Sequence, residues 1–255
     1  MRGLKNNRSG QVLVLAALAI AFIISATLVY VYEASRVSGS ERLSSPGDYV
    51  RIVKLGSMNL VIGTLANISH GGDDRILESN LERWGSFVQR QHYLGEFSLG
   101  FELCEDAPYS SGLRMSWGDD GFGVTSASAD FSVNLTDSGT DVTVDYSVNV
   151  TTSVSVGAVS RWAANTHWIN VTVNLCNEGE PALANNLTVY YETNDGGWED
   201  AGLLDDYLLV DSGNGTYVAS FTVGPPRMHD RGIRVECYDL REIHVEATTT
   251  CTDIE

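Results

Sequence analysis

The first pattern along the chain is an unbroken apolar run. From Val12 to Tyr32 there is no charged residue, only Val, Leu, Ala, Ile, Phe and Tyr with scattered Ser and Thr. At about 1.5 Å rise per residue this run reaches roughly 30 Å, the thickness of a bilayer's hydrocarbon core. It predicts a transmembrane helix over 11–33. A soluble core helix would carry polar residues on one side, and a cleaved secretory signal would have a shorter apolar region and small residues at its cut, unlike Tyr32-Glu33-Ala34. Beyond a Ser-rich stretch broken at Pro46-Gly47, helical spacing resumes from Asp48 through Val50, Val53, Met58–Ile62, Leu65 and Ile68, ending near His70-Gly71-Gly72. A second helix opens at Asp73-Asp74 with Ile76, Leu77, Leu81, Trp84, Phe87 and Val88 on one face. Acidic residues lead it and Arg83 and Arg90 trail, as the helix dipole favours.

From Phe97 the period changes to two. The alternation predicts strands over Phe97–Cys104, Leu113–Trp117, Phe122–Thr136 and Thr140–Val156, the last two joined by Asp137-Ser138-Gly139. A second block from Ser160 predicts strands at Trp168–Cys176, Leu187–Glu192, Tyr207–Val210, Tyr217–Val223, Ile233–Tyr238 and Ile243–Ala247, and His244 falls on an exposed face. The count and spacing suit an immunoglobulin-like antiparallel sandwich. The expected fold is one N-terminal transmembrane helix followed by a mainly β ectodomain: two helices with a small antiparallel sheet, then an Ig-like β-sandwich. The expected division is a leader at 1–10, the span at 11–33, a helical stalk at 34–96, a β-rich region at 97–159 and the sandwich at 160–255.

Charge sets the orientation. Arg2, Lys5 and Arg8 precede the span without an acidic residue among them, which keeps the N-terminus cytoplasmic and the rest extracellular, at the cell membrane. Removing those three cations from the formal charge of -17 leaves about -20 outside. Such a surface repels nucleic acid, so membrane lipid around the N-terminal helix is the expected partner and nucleic acid is not. Cys104, Cys176, Cys237 and Cys251 all follow the span, and four cysteines allow three disulfide connectivities. The preferred pairing is Cys176 with Cys237 and Cys104 with Cys251; four buried free thiols is the alternative. Six sequons, at Asn67, Asn134, Asn149, Asn170, Asn186 and Asn214, fit N-glycosylation of an exported domain. The strand asparagines among them fall opposite the apolar positions, which places them on wet faces.

Catalytic and cofactor motifs give little. There is no G-x-S-x-G, H-E-x-x-H or P-loop. His70-Gly71-Gly72 reads as a helix C-terminus in preference to an oxyanion loop. Asp119-Asp120, Asp195–Asp200 and Asp205-Asp206 match no EF-hand and read as solvated acidic loops; no metal or cofactor is expected. Trp162, Trp168, Tyr190 and Tyr191 are candidates for a carbohydrate platform or for core packing.

Lys5-Asn6-Asn7-Arg8-Ser9-Gly10-Gln11, running into Val12-Leu13-Val14-Leu15-Ala16-Ala17-Leu18, resembles a type III (prepilin-type) signal. Gly-Gln at the junction is similar to archaeal type IV pilin-like proteins, and the apolar run resembles TadE/TadG-like pilus proteins. The resemblance covers about 30 residues, the length of the anchor. It implies cleavage between Gly10 and Gln11 and a helix that packs in a filament core. Bacterial type IV pilins carry Glu five residues into the mature chain, where this sequence has Leu15. The departure leaves open a filament subunit, a minor pilin or a protein with a similar anchor. The expected function is a membrane-anchored extracellular structural or adhesive protein of pilin-like kind, self-assembling through its helix, and not an enzyme. The alternative is a monomeric anchored binding module contacting glycans or the envelope, ahead of an extracellular enzyme.

Overall fold

The computed structural model describes residues 46–91, 95–137, 140–163, 166–224 and 231–253. The expected span at 11–33 lies outside them. The chain divides into two units, Met1–Tyr49 and Val50–Glu255, and all packing below belongs to the second. Among the described residues one helix, Gly47–Ser69, is long and apolar enough to cross a membrane. It belongs to helix α1 (Pro46–Ser69), followed by α2 (Ile76–Gln91). Pro46 starts α1 where a break was expected, because the first helical turn needs no donor from its leading residue. At the other end Gly71 takes φ +90° while its N–H and that of Gly72 return to the carbonyls of Ile68 and Asn67, which is ordinary helix C-cap chemistry.

Apart from a 3-10 turn at Ala201–Leu203, the remaining elements are strands, antiparallel with one short exception. In chain order they are β1 (Gly95–Leu103), β2 (Leu113–Trp117), β3 (Phe122–Asp137), β4 (Thr140–Ala163), β5 (Thr166–Asn177), β6 (Glu180–Pro181), β7 (Ala184–Glu192), β8 (Trp198–Asp200), β9 (Leu208–Asp211), β10 (Thr216–Val223), β11 (Gly232–Asp239), β12 (His244–Thr250) and β13 (Thr252–Asp253). A nine-stranded sheet runs β1-β3-β4-β5-β10-β9, with β2 on β3, β6 on β5 and β13 parallel to β4; a four-stranded sheet runs β12-β11-β7-β8.

Strand β4 organises both halves. Its even positions from Val142 to Ser160 share one face of the large sheet. Over the first part of that face lie the helices: Ser57 Oγ meets Tyr146 OH at 3.1 Å, and Trp84 Nε1 donates to Ser57 Oγ at 2.9 Å. Lys54 Nζ stands 5.4 Å above the Tyr146 ring, itself stacked on Phe131. Over the second part lies the small sheet. There Val154, Val156 and Ala158 pack with Val171, Leu175, Phe221, Val235 and Val245 in one closed core. Positions 159 and 160 lie within continuous strand β4, and this core draws on Val154, Val156 and Ala158 as well as on residues beyond 160.

Where the two covers meet, the core turns polar. Thr125 and Thr152 face each other across β3 and β4, both wholly buried. Thr125 Oγ1 donates to the His244 carbonyl at 2.7 Å, and Thr152 Oγ1 donates to Asp239 Oδ2 at 2.9 Å. Asp239 is fully buried, and its Oδ1 accepts from the N–H groups of Arg241 and Ile243 at 2.8 and 3.0 Å. Arg241 Nε reaches Oδ2 at 2.8 Å. From the helical side, Ser69 Oγ accepts the His244 N–H at 3.0 Å. This corrects the expectation that His244 is exposed: it is 8% exposed, between Trp117 and Tyr238. Its strand face was read correctly, but that face is covered. Gly123 lets the strands close here, since a Cβ on it would stand 1.9 Å from the Glu246 carbonyl oxygen.

Removing Asp239 leaves the Thr152 hydroxyl and the N–H groups of Arg241 and Ile243 without their acceptor and leaves Arg241 paired with Glu178 alone of its two carboxylates, at a cost of about 3–5 kcal/mol. Asp239→Ala is therefore expected to lower the unfolding free energy by that order in urea titrations, while exposed Asp130→Ala changes it by less than about 0.5 kcal/mol.

Candidate functional site

Two regions collect the chemistry-bearing residues: the outer face of the large sheet and the far end of the sandwich. On the outer face, residues opposite the core alternate out to solvent. Asn134 on β3, Asn149 on β4 and Asn170 on β5 share it, and all six sequon asparagines, with Asn67, Asn186 and Asn214, are exposed. In three of them a neighbouring hydroxyl donates to Oδ1: Thr143 to Asn134 at 2.9 Å, Thr151 to Asn149 at 2.9 Å and Ser220 to Asn170 at 2.6 Å. Each such bond holds the side chain with Nδ2, the atom an N-glycan joins, at the other corner of the amide. Asn214 instead uses Oδ1 to accept the Thr216 N–H at 3.2 Å, an Asx turn in the β9–β10 hairpin. Asn67 sits on the exposed side of α1, one turn from the cap.

The cysteines do not pair. All four are free thiols in this structure. Cys176 lies on the opposite face of β5 from buried Leu175, whereas Cys237 is wholly buried between the sheets. The Cys104 N–H bonds the Ser128 carbonyl, opposite Asn149, while Cys251 precedes Thr252, which pairs with Val159. Those anchor points are ten residues apart along β4, about 30 Å of strand at roughly 3.3 Å per residue. A disulfide needs Cα atoms within about 7 Å, so neither Cys176–Cys237 nor Cys104–Cys251 is formed. Burial pushes the thiols of Cys237 and Cys251 up to about 12, far from the reactive thiolate range. Cys237 and Cys251 behave as small core hydrophobes, and the number of cysteines says nothing about the redox compartment.

At the far end of the sandwich, His167 is wholly buried under Trp162, with ring centroids 4.8 Å apart. Neither ring nitrogen has a hydrogen-bond partner, and Nε2 lies 3.7 Å from Asp253 Oδ1. Ser160 Oγ donates to the same Asp253 oxygen at 2.5 Å. The carboxylate thus stands between serine and histidine, whereas nucleophilic catalysis requires the histidine between the other two. The four aromatic candidates do not form one platform either. Trp168 stands 53% exposed on the outer face, and Trp162 covers His167. Tyr190 lies under the Arg234 guanidinium at 4.6 Å, and Tyr191 is buried in the core.

The acidic loops serve local turns. Asp120 Oδ1 accepts from the Phe122 N–H at 3.2 Å, Asp200 Oδ1 from the Gly202 N–H at 2.8 Å, and Asp206 takes the Thr222 hydroxyl. Among the described residues no group of three or more His, Cys, Asp or Glu side chains is placed to hold a metal ion. Gly10 and Gln11 lie outside the described residues. No family model matches the chain, and no curated protein matches it. A residue that periodicity passed over is Arg231, between two strands and only 5% exposed; its signal was an arginine next to the Gly232 that opens β11.

Burial lowers the pKa of both His167 and His244, with like charge from Arg231 adding at the first. An unfolded histidine takes up a proton near pH 6.5, above the folded-state value. Their contribution to stability is therefore complete above about pH 6.5 and is lost as pH falls from there through the lowered folded-state pKa. The melting temperature is expected to drop between pH 7.5 and 5.5, and His167→Phe with His244→Phe should flatten that slope; an unchanged slope in the double variant contradicts this assignment.

Proposed function

We propose that this chain is a membrane-anchored surface protein of structural or adhesive, pilin-like kind. Its N-terminal helix holds it in the lipid bilayer with the β domain outside, and it associates with copies of itself. The observation that carries the self-association is the free face of α1. Ile52, Leu55 and Met58 are 50%, 48% and 44% exposed, and Ile62 and Ala66 are half-buried on the same side. Ile52, Leu55, Asn59, Ile62 and Ala66 follow the alternating three–four spacing of a helix-pairing seam, with Ile and Leu in its first two places and one polar Asn. A Cβ added at Gly63 would meet nothing within 4 Å, which leaves a notch beside the seam.

Charge names the occupant as a second copy. The chain carries 33 acidic residues and a formal charge of -17, so two copies repel over most of their surfaces. No Asp or Glu occurs from Val50 to Gly72, and this face is where like chains approach with least repulsion. The exposed sequons support an external setting, in which glycans would crowd the outer face of the large sheet and leave α1 uncovered except at Asn67. A monomeric anchored binding module is the second reading, favoured by a cleft at the far end of the sandwich.

Two measurements on the membrane-extracted protein test the proposal. Mass spectrometry is expected to find a mature N-terminus at Gln11 with glycopeptides from the sequon segments; an intact Met1 favours the simple anchor. Oxidative cross-linking in membranes is expected to join copies through Leu55→Cys and not through the exposed control Asp130→Cys. Monomer alone from both variants would overturn self-association, and cross-links from both would show mere crowding.

A further inference from the structure

The cleft at the far end of the sandwich holds about 410 Å³ and is lined by Tyr191, Thr193, Glu199, Thr222 and Arg231 among others. It opens where β7, β8 and β10 end and β11 begins, on the side away from the helices. Arg231 is the unusual member. It is 5% exposed, its guanidinium carbon sits 5.6 Å from the Tyr191 ring centroid, and Nη2 donates to the Gly224 carbonyl at 3.0 Å. Nε has no hydrogen-bond partner. Among the described residues no carboxylate lies within ion-pair distance of it; the ion pairs of the domain involve Arg234, Arg241 and His167 instead.

Burying a guanidinium whose Nε is unpartnered is costly, and burial pushes its pKa down, which the charge of nearby Glu192 only partly offsets. Arginine's planar fork matches a carboxylate in two parallel hydrogen bonds. Glu199 lines the same cleft and disfavours a strongly charged anion. Tyr191 OH donates to Glu199 Oε2 at 2.5 Å; burial, with this bond and the nearby Glu199 adding to it, pushes the phenol up to about 12, and Glu199 lines the same space. A carboxylate oxygen accepts from hydroxyl donors. Thr193 and Thr222 add polar lining, and the Tyr191 ring adds an apolar surface of the kind sugar C–H groups contact.

We infer that this cleft binds a sugar acid, with the carboxylate of a uronic acid on Arg231 and its ring hydroxyls on Glu199. A monoanion rich in hydroxyl donors satisfies both residues. A neutral sugar leaves the Arg231 fork without a carboxylate to pair with, and phosphate sets a second negative charge against Glu199. The site is independent of the α1 seam, so it stands whether or not copies assemble.

The test is a titration of the full chain in detergent micelles with D-glucuronate, D-glucose and inorganic phosphate, followed by ligand-observed NMR and calorimetry. Saturable glucuronate binding is expected, at least about tenfold tighter than glucose or phosphate, the scale of one charge-assisted pair. Arg231→Met should abolish that preference while leaving the melting temperature equal or higher, because an apolar isostere relieves an uncompensated cation. Glu199→Gln should weaken glucuronate and improve phosphate. Should Arg231→Met fail to fold, Arg231→Lys decides, since it keeps the charge and loses the fork; affinity for glucuronate must fall by about tenfold. No glucuronate binding, equal affinity for glucose or phosphate, or unchanged affinity in the arginine variants would each overturn the assignment.

Discussion

Everything in the β domain depends on how the Asp239 carboxylate is satisfied. It is wholly buried, and it sits where the helical cover of the large sheet gives way to the four-stranded sheet. Two backbone N–H groups, the Thr152 hydroxyl and the Arg241 guanidinium converge on its two oxygens. Arg241 extends the network to Glu178 and the Thr151 carbonyl, beyond the edge of the turn. A network of this kind is stable only when every member is present, and its geometry tolerates one arrangement of the chain. The β11–β12 turn therefore fixes the placement of the small sheet on β4, and through Ser69 and His244 it fixes the C-terminal end of α1 as well.

Much of the β structure was legible in the period-two pattern. Leu113–Trp117 is found with the predicted bounds, and β3 ends at Asp137 and β4 begins at Thr140, one residue past the predicted end and at the predicted start. Reading failed where position depended on what covers a face. His244 was assigned to the outer face of its strand, where it is, but α1 and Trp117 close over that face. The expected strand stopped at Val156, but β4 continues to Ala163. In the structure Gly157 simply occupies an exposed strand position with open space beside it.

The candidate sites divide the same way. Exposure of the asparagines followed from local alternation, because a strand sends successive side chains to opposite faces. The cysteine pairing and the aromatic platform required knowing which distant strands lie together, and sequence spacing carries no such information. Arg231 was invisible for a further reason: it lies between strands, and among the described residues it forms no ion pair although the chain has 33 acidic residues.

The length of β4 has a mechanical consequence. Sixteen residue pairs join it to β3 and twelve join it to β5, all aligned along one axis from the helix-covered end to the far end of the sandwich. Tension applied between those ends loads the hydrogen bonds in shear, so they share the force and must fail together. A hairpin pulled apart at its open end instead gives way one rung at a time. A domain held at its helical end and gripped at the opposite end is thus built to carry load along its strongest direction.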